Sequence, residues 1–299
     1  MKYKVGTRDS KLALRQTQLV IEALTQKNPQ ITLDQFEIVK IKTKGDNILN
    51  KNLSEIGGKN LFVKEIEDAL LDNQIDFAVH SLKDLTGNLD PKLTIAACLE
   101  REDPRDAFVS LQYESLASLP HGSVVGTSSI RRKSIALAYH PYLVAIPFRG
   151  NVLTRLEKLK QKQVDATFLA VAGLKRLGID QTLYTPLHTD DFLPAVSQGI
   201  IGVQCNKSDD KIINLLAHIN HLETEIITRA ERSFLECLNA DCTTPIAAYA
   251  TLNQESINLE CLVINSHGKI FRENIQASSK DASKIGYEMG IKFKKHLIS

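Results

Sequence analysis

The sequence has no Trp, few aromatic residues of any kind and almost no net charge. Its 37 Lys and Arg residues against 35 Asp and Glu residues leave a formal charge of +2, so no overall electrostatic force draws the chain to nucleic acid or to a membrane surface. The aromatic residues are not interleaved with basic runs, and this argues against platforms on which bases stack. We therefore expect no nucleic-acid partner.

Long apolar runs are also missing. None approaches the roughly 18 residues that a membrane-spanning helix needs, and the first residues, MKYKVGTRDS, contain no apolar signal region. The five Cys residues are odd in number and lack paired spacing, which favours free thiols in a reducing compartment. Cys237 and Cys242 are poorly spaced for a metal site and have no His cluster beside them. We expect a cytoplasmic monomer with no metal and no membrane partner.

The 299 residues, 43% of them hydrophobic, are enough for two or three domains. A local pattern occurs twice: VGT at 5–7 and again at 125–127 is followed by Ser, Arg and a predicted helix, and DFAVHSLKDL at 76–85 resembles DATFLAVAGLKRL at 165–177. We predict two similar α/β lobes with a central cleft, plus a smaller C-terminal α+β domain. The expected bounds are 1–99 with 200–217 for domain 1, 105–193 for domain 2 and 222–299 for domain 3, with crossings between the lobes near 100–107 and 191–201.

Polar and cationic side chains follow the predicted strands of both lobes. Open α/β sheets bind ligands at the carboxyl ends of their strands, where backbone N–H groups and Arg guanidiniums suit carboxylates or phosphates. Each residue alone could be a solvated charge on a helix, but the repetition at matching strand ends favours one anion-binding cleft. The set comprises Thr7, Arg8, Ser10, Ser81, Lys83, Thr127, Ser128, Ser129, Arg131, Arg132, Arg149, Arg155, Lys175 and Arg176.

Two residues do not fit a purely anion-binding role. Asp84 is a carboxylate among cations, so it either forms a local ion pair with Lys83 or a nearby Arg, or it stabilises a cation that forms on an otherwise anionic substrate. Cys242 lies in the turn-like segment ADCTTP and is either a buried small residue or a reactive or modified thiol. The cysteines in apolar strands are predicted core residues: Cys98, Cys205 and Cys261.

Eight segments together resemble the hydroxymethylbilane synthase family, whose members are also called porphobilinogen deaminases, over essentially the whole chain. They are TRDS at 7, GGKNLFVKE at 57, AVHSLKD at 78, EREDPRDAF at 100, GTSSIRR at 126, RGNVLTRL at 149, LAVAGLKRLG at 169 and DCTTPIAAYA at 241. The resemblance implies a transferase whose first two domains are arranged like solute-binding proteins. Such an enzyme joins four porphobilinogen molecules head to tail with loss of ammonia, and water then releases linear hydroxymethylbilane for haem and other tetrapyrroles.

The resemblance also implies roles for single residues. Cys242 would carry one covalent dipyrromethane cofactor through a thioether, and Asp84 would be the catalytic carboxylate and a cofactor contact. The other implied cofactor-binding residues are Ser81, Lys83, Thr127, Ser128, Ser129, Arg131 and Arg132, and the implied substrate-binding residues are Arg8, Ser10, Lys59, Arg149, Arg155 and Arg176. The alternative is a non-catalytic two-lobed protein that binds a polyanion, which would keep the basic cleft but would not need Asp84 or Cys242.

Overall fold

The computed structural model describes residues 2–44, 63–240 and 244–297. Its strands are β1 (Tyr3–Arg8), β2 (Phe36–Ile41), β3 (Phe77–Ser81), β4 (Leu93–Cys98), β5 (Asp106–Val109), β6 (Val124–Gly126), β7 (Val144–Ile146), β8 (Ala166–Ala170), β9 (Thr185–Pro186), β10 (Ile201–Asn206), β11 (Ile246–Asn253), β12 (Ser256–Ile264) and β13 (Ile270–Ser278). Its α-helices are α1 (Lys11–Lys27), α2 (Lys64–Leu71), α3 (Ile130–Tyr139), α4 (Val152–Lys160), α5 (Val171–Arg176), α6 (Asp210–Ala217), α7 (Leu222–Leu238) and α8 (Ala282–Leu297).

The first lobe is built on a five-stranded sheet in the order β2-β1-β3-β10-β4. Strands β2, β1 and β3 are parallel, whereas β10 enters antiparallel between β3 and β4. The Ser10 hydroxyl accepts a hydrogen bond from the Ala13 N–H and so begins α1, as an N-cap residue does. Because β1 and β3 are parallel neighbours, their carboxyl ends meet at one edge and bring Arg8 close to Ser81 and the turn after it.

The second lobe repeats this arrangement with the sheet order β7-β6-β8-β5-β9. Strand β6 has parallel neighbours on both sides, and β5 runs antiparallel beside β8, as β10 does beside β3 in the first lobe. The prediction of two similar α/β lobes is therefore confirmed. Strand β5 begins at Asp106, inside the segment 100–107 that we had assigned to a crossing, so the crossing is shorter than expected.

The third domain is an antiparallel sheet, β11-β12-β13, packed against α7 and α8. The two helices approach so closely that a Cβ at Gly286 would collide with the carbonyl oxygen of Ala230. Their buried side chains include Phe234 and Phe293, whose rings meet edge to face with centroids 5.7 Å apart. This is the smaller α+β domain that the sequence predicted.

Glu231 of α7 joins the third domain to both crossings between the lobes. Its fully buried carboxylate accepts hydrogen bonds from Arg101 Nη1 at 2.6 Å and from the Ser197 N–H at 2.5 Å. It also accepts one from the Ala250 N–H at 2.8 Å. A buried charge is stable when it is paired and fully hydrogen-bonded, so this side chain links the third domain to both crossings through contacts that are costly to break.

Candidate functional site

The rim of the cleft is formed where β3 ends and a short turn, Leu82–Asp84, follows. Leu82 is fully buried and anchors the turn, while about a third of the Asp84 side chain stays exposed. Asp84 Oδ2 lies 3.6 Å from Arg8 Nη1, which comes from the end of β1. Asp84 thus has the nearby Arg partner that we considered, and it also remains accessible to a bound molecule.

Lys83 connects this rim to the second crossing between the lobes. Its Nζ donates a hydrogen bond to Gln198 Oε1 at 3.0 Å. Burial lowers the pKa of Lys83 to about 8, and repulsion from Arg132 and Arg131 acts in the same direction, against attraction by Asp84 and Asp106. Charged groups of both lobes therefore act on this ammonium: Asp84 from the first lobe, and Asp106, Arg131 and Arg132 from the second.

Asp106, at the start of β5, is the buried centre of the site. Arg131 Nη2 donates to its Oδ2 at 2.7 Å, and Arg132 donates to its Oδ1 through Nη2 at 2.6 Å and Nε at 2.9 Å. Burial would raise the pKa of Asp106, but the two guanidiniums and Lys83 outweigh it and hold that pKa well below its usual range. Arg131 and Arg132 are only 5% and 6% exposed, so they are interior charges rather than solvated ones.

Arg155 and Arg176 add further cations from α4 and α5. Arg155 Nη2 donates to the Phe168 carbonyl oxygen, while its Nε is buried without a hydrogen-bond partner in the part of the chain that the structure describes. Burial lowers the pKa of Arg155 to about 9, and Arg132 contributes to the lowering. Arg176 Nη2 donates to the Gly199 carbonyl oxygen at 2.6 Å, and burial lowers its pKa to about 10.

The cluster therefore carries excess positive charge. Among the described residues, Lys83, Arg131, Arg132 and Arg155 surround a single fully buried carboxylate, Asp106. Desolvated like charges destabilise one another, so a ligand that brings carboxylates would stabilise the site. Arg155 Nε and the hydroxyl of the buried Thr7, neither of which has a hydrogen-bond partner among the described residues, are further donors that such a ligand could use. A dipyrromethane with acetate and propionate arms fits this donor set.

The predicted hydroxyl groups shape the turns around the cluster. Ser129 caps α3 by accepting from the Arg132 N–H, and Thr127 Oγ1 accepts from the Ser129 N–H at 3.2 Å. Ser128 Oγ accepts from the Phe148 N–H at 3.0 Å, next to the half-buried Arg149. In the first lobe, Ser81 Oγ exchanges hydrogen bonds with the amide of Gln16 at 2.8 and 3.1 Å. These contacts fix the direction of the strand-to-helix turns and of their N–H groups.

Two predicted site residues, Cys242 and Lys59, lie outside the described residues, as does the segment 45–62 that precedes α2. The three cysteines predicted to be core residues are all buried: Cys98, Cys205 and Cys261. Burial raises the pKa of Cys98 to about 12 and that of Cys205 to about 11, so both remain protonated thiols at neutral pH.

Sequence reasoning missed two residues at the heart of the site, Asp106 and Gln198. One signal was available for Asp106: it directly precedes Ala107, Phe108 and Val109, an apolar run that is entirely buried. A carboxylate at the start of a buried strand is almost never left without a partner. For Gln198 the local sequence gives no comparable signal, because its partners are about 90 to 115 residues away in the chain.

Fold and site together define the class of protein: it has two α/β lobes with a cationic cleft between them and an accessible carboxylate at the rim, suited to a polycarboxylate ligand, and a third domain that is joined to the crossings between the lobes. Residues 3–214 match the family model "Porphobilinogen deaminase, dipyromethane cofactor binding domain", and residues 225–295 match "Porphobilinogen deaminase, C-terminal domain". The chain belongs to the porphobilinogen deaminase family, as the sequence motifs predicted.

Curated relatives carry the same name across nearly the full length. The chain is 41% identical to the porphobilinogen deaminase of Alkaliphilus metalliredigens over 288 residues, covering 96% of this chain and 90% of that one. It is 45% identical to the porphobilinogen deaminase of Rickettsia canadensis over 298 residues, covering 99% and 97%. The chloroplastic enzyme of Oryza sativa is 50% identical over 254 residues, covering 84% and 71%.

A solved structure of the methionine-binding protein MetQ resembles this chain at a TM-score of 0.46 and 12% identity, over 75% of this chain and 92% of that one. The fold class depends on the three sheets and not on this likeness.

The function is that of a hydroxymethylbilane synthase, a transferase of tetrapyrrole synthesis that uses a dipyrromethane cofactor and porphobilinogen. Family membership favours this function over that of a non-catalytic protein that binds a polyanion. No helix in the described part of the chain has both the length and the apolar character that crossing a bilayer requires.

Proposed function

We propose that the cleft between the lobes performs the porphobilinogen deaminase reaction with Asp84 as its catalytic carboxylate. The observation that carries this proposal is the combination of an interior cationic cluster around Asp106 with an accessible carboxylate, Asp84, at the rim of the same cleft. The cationic cluster suits the acidic arms of the pyrroles, whereas Asp84 suits the one part of the substrate that becomes positive.

Asp84 acts while the substrate loses ammonia. The carbon–nitrogen bond of the aminomethyl group breaks, its electron pair leaves with ammonia, and the electron-rich pyrrole takes up the positive charge. A fixed carboxylate beside the pyrrole nitrogen stabilises that cation and can accept and return a proton as the new carbon–carbon bond forms. The ion pair with Arg8, at 3.6 Å, keeps the carboxylate oriented without enclosing it.

The interior cluster holds the cofactor. When attached through Cys242, the dipyrromethane supplies the pyrrole end to which the first substrate is joined. Lys83, Arg131 and Arg132 provide charge for its carboxylates. The hydroxyls of Thr127, Ser128 and Ser129 hold backbone N–H groups of the second lobe, and the hydroxyl of Ser81, held by the Gln16 amide, faces the cofactor from the first lobe. Arg131 and Arg132 are held by Asp106, so they meet the ligand already oriented and lose little conformational freedom on binding.

A second set of residues serves the substrate and the growing chain. It comprises the cations Arg8, Lys59, Arg149, Arg155 and Arg176 together with the neutral Ser10, which contributes through its hydroxyl and the N-terminus of α1. Each added ring brings two more carboxylates, which accounts for so many cations in one cleft. Neutralising Arg131 or Arg132 should therefore impair holoenzyme formation, whereas neutralising Arg149 or Arg176 should stall elongation with the cofactor attached.

We further propose the domain bounds 1–99 with 200–217, 105–193 and 222–299. The sheets support these bounds: β10 joins the sheet of the first lobe, β5 to β9 form the second sheet, and β11 to β13 form the third.

We also propose that the protein is a cytoplasmic monomer that binds porphobilinogen and no nucleic acid. The near-neutral composition and the unpaired thiols of the described cysteines support that proposal.

The test is Asp84→Asn, which keeps size and most hydrogen bonding but removes the charge. We expect a folded protein that consumes porphobilinogen about a hundredfold or more slowly, because stabilisation of the developing charge is lost. Asp9→Asn is the matched control, since Asp9 lies in the same region and pairs with Lys40 at 3.0 Å on the surface. Near-normal turnover in Asp84→Asn would make Asp84 a structural ion-pair residue and would refute the proposal.

A further inference from the structure

Gln198 lies on the second crossing between the lobes and is fully buried. Its Oε1 accepts a hydrogen bond from Lys83 Nζ at 3.0 Å. Its Nε2 donates to the Pro104 carbonyl oxygen at 2.7 Å and to Asp106 Oδ1 at 3.1 Å. A single amide therefore bridges a cation of the first lobe and the central anion of the second.

The chemistry of the partners fixes the orientation of this amide. An ammonium has only donors and a carboxylate has only acceptors, so the oxygen must face Lys83 and the nitrogen must face Asp106. An amide accepts from a cation at one end and donates to an anion at the other without adding charge. Glu would repel Asp106, and an apolar residue would leave Lys83 without its acceptor.

The backbone around Gln198 is held in an uncommon conformation. Ser197 has a φ of 57° although it is not Gly and is fully buried, and Gly199 has a φ of 92° at a point where a Cβ would collide with the carbonyl oxygen of Glu102. The Ser197 N–H is bound by Glu231, and the Gln198 carbonyl oxygen accepts from Arg101 Nε at 2.9 Å. Such conformations persist where the surroundings over-determine them, so the amide is held from both crossings and from the third domain.

We propose that Gln198 is a positioning residue for the reaction: it sets the ammonium of Lys83 against the Asp106 cluster and so couples the cofactor-facing surfaces of the two lobes. The inference rests on the proposed role of Lys83 in holding the cofactor. It assigns a function to a residue on the crossing itself, where any change in the relative position of the lobes would alter both of its polar contacts at once.

The protonation state of Lys83 reports this coupling directly. The charged groups that act on it are Asp84, Asp106, Arg131 and Arg132, and burial lowers its pKa to about 8. The hydrogen bond that Lys83 donates to Gln198 stabilises the charged ammonium, so it raises the pKa of Lys83 and partly offsets the effect of burial. Removing that acceptor should lower the pKa of Lys83 further, whereas a carboxylate in its place should raise it.

The experiment measures the pKa of Lys83 in the holoenzyme by amine labelling at a series of pH values, with peptide mass spectrometry. Only the unprotonated amine reacts, so the labelling rate at Lys83 traces its titration. Gln198→Met should lower that pKa by about one unit, and Gln198→Glu should raise it. Gln204→Met is the matched control, because Gln204 is also fully buried but donates to Glu67 at 2.9 Å, and it should leave Lys83 unchanged.

The proposal is overturned if Gln198→Met destabilises the protein as Gln204→Met does but leaves the titration of Lys83 as in the parent. Should Gln198→Met not fold, Gln198→Glu decides alone: an upward shift supports the coupling and an unchanged titration contradicts it. A separate variant, Lys83→Gln, tests the proposed function. If it forms holoenzyme and turns over like the parent, the role of Lys83 fails even where the coupling to Gln198 is demonstrated.

Discussion

Replacing Asp106 by Asn keeps the shape of the side chain but removes the only buried carboxylate of the described cationic cluster. In the parent, that carboxylate accepts three hydrogen bonds from Arg131 and Arg132 and a fourth from Gln198. Removing one partner of a buried ion pair costs about 3–5 kcal/mol, because the other partner stays buried and uncompensated. We therefore expect the free energy of unfolding to fall by that amount, with a decrease in melting temperature of about 10 °C.

The pH dependence of this loss has a defined sign. The pKa of Asp106 is held well below its unfolded value of about 3.9. Its stabilising contribution is therefore fully present above that value and is lost as the pH falls through the lower, folded-state pKa. The difference in stability between the parent and Asp106→Asn should be complete at pH 7 and should shrink below about pH 4.

Thermal unfolding followed by circular dichroism at pH 7 and at pH 3 measures both quantities. Asp103→Asn is the control, because Asp103 forms its ion pair with Arg105, whose side chain is 41% exposed. An ion pair of that kind contributes about 1 kcal/mol or less. A loss in Asp106→Asn no larger than that in Asp103→Asn, or one that does not change with pH, would refute the account of a buried charge centre.

Three further predictions concern binding and reactivity. Arg131→Leu should yield mainly apo-protein, whereas Arg149→Leu should retain the cofactor and accumulate intermediates with a particular number of rings. Mass spectrometry before and after adding porphobilinogen separates these two outcomes. If both variants stalled at the same stage, the division into cofactor-binding and substrate-binding arginines would be wrong. Loading of apo-protein with the cofactor, which precedes the covalent bond, should slow as the pH rises above about 8 if it depends on the ammonium of Lys83, and a loading rate that is flat up to pH 10 would speak against that dependence. In the native protein a thiol reagent should leave Cys98 unmodified, because burial raises its pKa to about 12, and rapid labelling of Cys98 would contradict its place in the core.

Much of the fold could be predicted because its signals are local. The caps Ser10 and Asn151 precede apolar periodic segments, and both begin helices in the structure. The stretch 76–85 places an apolar strand before Lys83 and Asp84, and the structure has the strand and the turn there. These features depend on residues within a few positions of one another, so one sequence is enough to identify them.

The charge pairing of the site could not be predicted in the same way. Arg131 and Arg132 were expected to face a ligand, but each also binds Asp106, about 25 residues earlier in the chain. The position of β10 between β3 and β4 likewise depends on a contact made after the chain has passed through the second lobe. Pairings over such separations follow from topology, which spacing and composition do not specify.

The central claim is that Cys242 carries the covalent primer on which the product is assembled. Intact mass of the purified protein tests it most directly. The mass should exceed that of the 33.3 kDa chain by one dipyrromethane, and Cys242→Ser should remove the excess together with activity. A fully active protein whose mass equals that of the unmodified chain would contradict the account.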